Sequence, residues 1–395
     1  MLLAVFLFFL LLLPSAEARV KTGLDVLAEQ KFAALEGKRV GLITAETAIS
    51  HDRKRSIDLL AQAPGLKLTA IFAPEHGIAA DRQGRDVGDT VDEATGVPIY
   101  SLYNQGRHRP TEQMLQDVDA LVYDIPQYGA RFLTRITTLG YCLEAAAKKG
   151  IPFFVLDRPN GINGVDVAGP LLDEKHISFV GYMRMPVRHG MTAGELALMF
   201  NQEKQLGADV RVIQMEGWER RMWFDETGLE WMNPSPNIRN LTQAILYPGV
   251  CLLESRDVSV GRGTEMPFQR IGAPWLRAGE MADYLNGQDL PGVRFVPRRF
   301  RPTASVYRDQ DCEGIDIILV DRKVFDPVRM GLEMLAATLK LHPGKFRVDS
   351  VMRLLGSDEA KRRLETGETG AQIMEAMRSE LAEFLQTRSK YLLYE

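Results

Sequence analysis

The chain has little cysteine, three in 395 residues. A disulfide scaffold needs a dense, paired set in a short chain, so that architecture is excluded. Cys142 falls in a helical pattern and Cys251 in an apolar run, and both are expected as buried free thiols. No charge of either sign prevails. Forty-eight Lys+Arg against 52 Asp+Glu leave a net charge of −4, which gives no basic footprint for a nucleic-acid partner. Long apolar runs are scarce as well. Leu2 to Leu13 is unbroken, but its 12 residues fall short of the ~20 that a spanning helix needs. Pro14 and Ser15 end it, and Ala16-Glu17-Ala18 fits a small-x-small cleavage site. The segment reads as a secretory signal peptide cut after Ala18. The mature chain is then secreted or periplasmic, with no stable membrane insertion. No Lys or Arg precedes Arg19, and an uncut segment would serve as an anchor.

Several signatures are missing too. Ile43-Thr44-Ala45-Glu46 stands after the first strand where a dinucleotide site would carry Gly-x-Gly-x-x-Gly. There is no phosphate loop, no Gly-x-Ser-x-Gly elbow, and no His-Glu-x-x-His or paired-cysteine zinc spacing. No metal and no cofactor are expected. The oligomeric state is not legible.

What is present is globular: 45% hydrophobic and 25% charged residues in a length that suits two domains. Apolar runs at Arg39–Thr44, Leu66–Ala73, Pro98–Tyr103, Ala120–Ile125 and Pro152–Leu156 read as strands. Helical patterns alternate with them at His51–Ala63 and Phe132–Lys149. This is an α/β pattern with a mostly parallel sheet, covered by helices on both faces. Thr192–Leu206 reads as a helix opened by a Thr192/Glu195 capping box, and Val210–Met215 as a strand. Gly217–Arg239, with three of the four Trp, reads as a long ordered loop. A helix near Leu241–Leu246, strands at Val293–Val296 and Ile315–Val320, and helices at Pro327–Leu341 and Gly370–Tyr394 then form a smaller α/β unit. The expected division is 1–18 signal peptide, 19–240 larger α/β domain and 241–395 smaller domain.

Ligands of open α/β sheets bind outside the carboxyl ends of the strands. The polar clusters there are Glu75-His76, Asp124 through Arg131, and Asp157-Arg158-Pro159-Asn160. Arg188-His189-Gly190, Asn233–Asn237 and Gly261-Arg262-Gly263 are further turn-rich clusters. Each alone is as compatible with a structural turn as with a site. Carboxylates, Arg, Asn and His in a cleft suit sugar or acidic small-molecule chemistry.

Six motifs occur in order: Pro74-Glu75-His76-Gly77, Asp157-Arg158-Pro159-Asn160, Pro186 through Thr192, Pro234-Ser235-Pro236-Asn237, Tyr247-Pro248-Gly249, and Gly261 through Trp275. Together they resemble the exo-β-N-acetylmuramidase family over residues 37 to 356. The resemblance implies that 19–240 is a Rossmann-like catalytic domain and 241–395 a smaller α/β domain, with the active-site cleft between the two. The resemblance implies a glycosidase that releases N-acetylmuramic acid from the non-reducing end of peptidoglycan fragments, with muropeptides or disaccharides as substrate. It implies Glu75, His76, Asp124 and Asp157 as catalytic residues. Arg131, Arg158, Asn160, Arg188, His189, Asn237, Glu254 and Arg262 are expected to bind substrate, and an Arg to read the lactyl carboxylate of muramic acid. The chain departs from the family pattern at Gln127 and Glu265. Two other readings suit the same residues: a periplasmic protein that binds muropeptides without turnover, and a lactyl-ether or ester hydrolase on the same scaffold.

Overall fold

The computed structural model describes residues 19–79, 88–104 and 106–395. The signal-peptide reading of residues 1–18 lies outside them. Seven strands make the main sheet: β1 (Arg39–Thr44), β2 (Lys67–Ala73), β3 (Thr90–Val91), β4 (Pro98–Ser101), β5 (Ala120–Asp124), β6 (Phe153–Leu156) and, after a hairpin, β9 (Val210–Ile213). The hairpin strands are β7 (Ala168–Leu171) and β8 (Pro186–Arg188). The sheet order is β3-β4-β2-β1-β5-β6-β9, parallel except for the β3–β4 pair.

Both faces of this sheet are covered, as its continuous apolar runs require. Ala120 and Val122 of β5 join α1 (Gly23–Glu29) and α2 (Ser56–Gln62) in one cluster. Leu121 and Tyr123 point the other way, into α3 (Thr134–Lys149) and α4 (Ala193–Glu203). The alternation is the strand's period of two. Helix α2 starts later than the sequence reading, because residues 51–54 form a turn closed by the Ile49–Arg55 bridge. The Thr192/Glu195 capping box is present at α4.

The second unit holds α5 (Leu241–Val250), β10 (Arg270–Ala273), α6 (Ala278–Asn286), β11 (Val293–Phe300), β12 (Cys312–Leu319) and α7 (Pro327–Leu341). Its sheet is antiparallel, in the order β10-β12-β11. Helix α5 continues past Leu246 through Pro248, because its C-terminal half packs directly on α7. A Cβ on Gly249 would meet the Pro327 carbonyl oxygen at 1.8 Å, so only glycine permits this approach. The end of the chain is four helices, α8 (Met352–Leu355), α9 (Asp358–Glu365), α10 (Gly370–Ala376) and α11 (Arg378–Ser389), and the last two replace the one long helix expected over 370–394. Helix α11 crosses back to the main sheet unit, and its Phe384 enters the core on the α3/α4 face. All three cysteines are free and buried.

Candidate active site

Buried strand β2 delivers Pro74 and Glu75 to the carboxyl end of the main sheet. The chain then turns sharply. His76 and Gly77 both have φ of +74°, and for the histidine this is a sparsely populated region. Backbone held there tends to cluster at functional sites. The Glu75 carboxylate accepts a hydrogen bond from Thr134 Oγ1 at 2.5 Å. Thr134 opens the 16-residue α3, so the start of that helix fixes the position of the carboxyl group.

A cavity of about 360 Å³ opens here, between the two units. Glu75, His76 and Arg135 line it from the sheet side, and Glu254, Arg262 and Arg353 from the other. Its apolar wall includes Phe132, Val180, Ile238, Tyr247 and Phe268. Size and composition are those of a small-ligand site. Glu254 follows the turn Cys251–Leu253 and is held by Arg262, with Nε at 2.7 Å and Nη2 at 3.2 Å. The Cys251 thiol donates to the same carboxylate at 3.4 Å. Arg262 also lies 5.0 Å from the Phe268 ring centroid. Arg135 is buried and donates to the carbonyls of Pro126 (3.4 Å) and Pro234 (2.6 Å), which fixes the Pro234-Ser235 wall.

Of the twelve residues expected from the sequence, four line this cavity: Glu75, His76, Glu254 and Arg262. The other eight are placed elsewhere. Asp124 is fully buried and forms a bidentate pair with Arg158, at 2.5 and 3.0 Å. The pair sits at the β1/β5 position where the strand order reverses, the usual ligand crevice of such sheets. Here Arg158, Gln127 and Thr47 leave a space of only about 30 Å³, enough for about one water molecule. The ion pair fills the crevice, and the roomy cavity is lined by the loops after β2 and β5 together with the second unit.

Asp157 is likewise fully buried. It accepts from Thr192 Oγ1 (2.7 Å), Gly194 N–H (2.9 Å) and Tyr394 O–H (2.7 Å), tying α4 and the C-terminal tail to β6. Burial pushes its carboxyl up to about 6 against the pull of those hydrogen bonds. Asn160 bonds the Met191 carbonyl and Ile162 N–H. Arg188 bonds the Ile162 carbonyl and pairs with Asp166. Asn237 is buried next to the cavity residue Ile238, and its amide makes no hydrogen bond among the described residues. Arg131 is buried and donates to four carbonyls, Pro170 and Met185 on one unit and Leu354 and Leu355 on the other. It is a strut across the domain boundary.

His189 is fully buried, and its Nδ1 accepts from Met191 N–H at 3.1 Å. Burial, with Arg388 and Arg188 nearby, holds its pKa down at about 3. The unfolded chain therefore takes up a proton near pH 6.5 that the folded chain refuses until about pH 3. Stability from this group is present above pH 6.5 and is lost as pH falls through that window. His189→Asn keeps an acceptor for Met191 and removes the titration. Its stability relative to wild type is expected to rise on acidification, by up to about 1.4 kcal/mol per pH unit between roughly pH 6 and 4. Urea melts at several pH values measure this, and a difference independent of pH would contradict it.

Sequence reasoning missed Thr134, Arg135 and Arg353. The first two open the helix behind an expected strand, which is a usable signal. Arg353 lies in a short helix with no motif around it. The Trp residues of the long loop are not a sugar-stacking wall of this cavity. Trp218 and Trp223 are buried, and Trp231 packs on Tyr128 and Phe224. Among the described residues one group could offer a cation three ligands, Asp173, His176 and Asp358. Asp358 is already paired with Lys175 and His176, and none of the three lines the cavity.

Residues 40–242 match the family model for the N-terminal part of exo-beta-N-acetylmuramidase NamZ, and residues 245–394 the model for its C-terminal part. The peptidoglycan beta-N-acetylmuramidase NamZ of Bacillus subtilis (strain 168) is 42% identical over 380 residues, 95% of this chain and 92% of that protein. Crystal structures of two DUF1343 family proteins from Bacteroides fragilis NCTC 9343 superpose with TM-scores of 0.87 and 0.78, at 37% and 31% identity. Each covers 95% of this chain and 99% of its own. The chain belongs to the exo-beta-N-acetylmuramidase NamZ family of glycosidases.

Proposed function

We propose that this protein is an exported exo-β-N-acetylmuramidase that removes N-acetylmuramic acid from the non-reducing end of peptidoglycan fragments. One observation carries the reading: two carboxylates from different units, Glu75 and Glu254, line a single sugar-sized cavity. Glycoside hydrolysis needs a proton donor at the leaving oxygen and negative charge near the cationic ring. Glu75, at the end of β2 and beside an apolar wall, supplies the proton. Glu254, held by Arg262, supplies the charge. The 2-acetamido group of the sugar is itself able to attack the anomeric carbon, and a fixed carboxylate can orient it. A cavity closed by loops from both units suits a chain end better than a chain running through. Export rests on the apolar run Leu2–Leu13 and the Ala16-Glu17-Ala18 site.

The test is product analysis on defined glycan strands and on a chromogenic muramic acid β-glycoside. Release of one free N-acetylmuramic acid from each non-reducing end that carries it is expected. Internal cleavage would contradict exo-action. Binding without turnover would point to a binding protein, and lactate release to ether cleavage.

A further inference from the structure

We infer that Arg353 is the residue that selects a carboxylate on the 3-O substituent of the sugar, the group that distinguishes muramic acid from N-acetylglucosamine. The inference rests on the glycosidase reading above. Three arginines line the cavity, and two are already engaged. Arg135 is buried and spends its guanidinium on the Pro126 and Pro234 carbonyls. Arg262 is bound to Glu254. Arg353 is exposed and makes no hydrogen bond or ion pair to any described residue. In charge terms, Glu75 and Glu254 are matched in number by Arg135 and Arg262, and Arg353 is the surplus positive charge. A neutral sugar gives it nothing to do. A sugar bearing a lactyl carboxylate offers it a bidentate partner.

Its placement supports this use. Arg353 lies in the one-turn helix α8, and the next two carbonyls, of Leu354 and Leu355, both accept from the buried Arg131 (2.7 and 2.9 Å). Gly356, with φ of +67°, ends the helix just below, and its N–H bonds back to the Met352 carbonyl. The backbone under Arg353 is therefore fixed from the opposite unit, and only the side chain must be ordered on binding. A docked backbone with a free guanidinium at a cavity rim is a preformed anion contact, in which little is lost besides rotamer freedom. Of the four arginines expected from sequence to read this group, Arg131, Arg158 and Arg188 are buried and committed to carbonyls or to a buried carboxylate, and Arg262 is held by Glu254.

Three β-glycosides with one leaving group separate the possibilities: N-acetylmuramic acid, its lactyl amide, and N-acetylglucosamine. Wild type is expected to favour the acid over the amide by about 10- to 150-fold in kcat/KM, the span of one charge-assisted hydrogen bond. Arg353→Gln should bring that ratio close to one, and Arg353→Lys should keep part of it. A Gln variant that keeps the wild-type ratio overturns the assignment. A wild type that cleaves all three equally also overturns it, yet leaves the glycosidase reading standing. A wild type that cleaves none contradicts that reading instead. Calorimetric affinity for free N-acetylmuramic acid against its amide, in wild type and Arg353→Gln, then decides the contact without turnover.

Discussion

Glu75→Gln is expected to lower kcat on a muramic acid glycoside by about 10²- to 10⁴-fold, the usual worth of a general acid. The fold should survive. The amide keeps an oxygen for the Thr134 hydroxyl, and the side chain is only partly buried. KM should move little if the carboxyl acts chiefly in the transition state. A leaving group with low pKa needs less help from an acid, so the loss should shrink on an activated aryl glycoside and grow on a natural disaccharide. Near wild-type turnover on the disaccharide would remove Glu75 from the acid role.

Asp124→Ala is expected to act on stability, not on chemistry. Among the described residues it leaves the buried Arg158 guanidinium with only the Ile49 carbonyl as hydrogen-bond partner. Removing one member of a buried pair costs about 3–5 kcal/mol, because the remaining charge is uncompensated. Urea unfolding should show that loss. Replacing both, as in Asp124→Leu/Arg158→Met, should recover much of it, since neither charge then remains. Where the single variant is still folded, its kcat should stay close to wild type. A variant of normal stability and greatly reduced kcat would return Asp124 to the catalytic set.

The contrast between these two aspartate and glutamate positions shows what a sequence conveys here. Strands β1, β2, β5 and β6 were legible because a sheet buried on both faces needs uninterrupted apolar runs, and Pro74 and Asp157 punctuate them. The N-cap of α4 was legible because Thr192 and Glu195 carry a local hydrogen-bond pattern. Helix α6 and strand β10 were not, since Arg270–Ala273 is four residues long and its register comes from pairing with β12, distant in sequence. The site behaved similarly. Motif residues cluster at strand ends, yet charge at a strand end has two outlets. Asp124 and Arg158 found each other across β5 and β6, and Asp157 found a helix start and the chain's own tail. Glu75 faced a domain boundary and stayed available. Its partners Glu254, Arg262 and Arg353 arrive from the other unit, some 180 to 280 residues later, and no spacing rule reaches that far.

The most direct check is a crystal structure of the Glu75→Gln variant soaked with a muramic acid disaccharide. The non-reducing sugar is expected in the cavity between Gln at position 75 and Glu254, with its lactyl carboxylate toward Arg353. A sugar seated instead at the β1/β5 crevice, against Gln127 and Arg158, would contradict the placement of the active site.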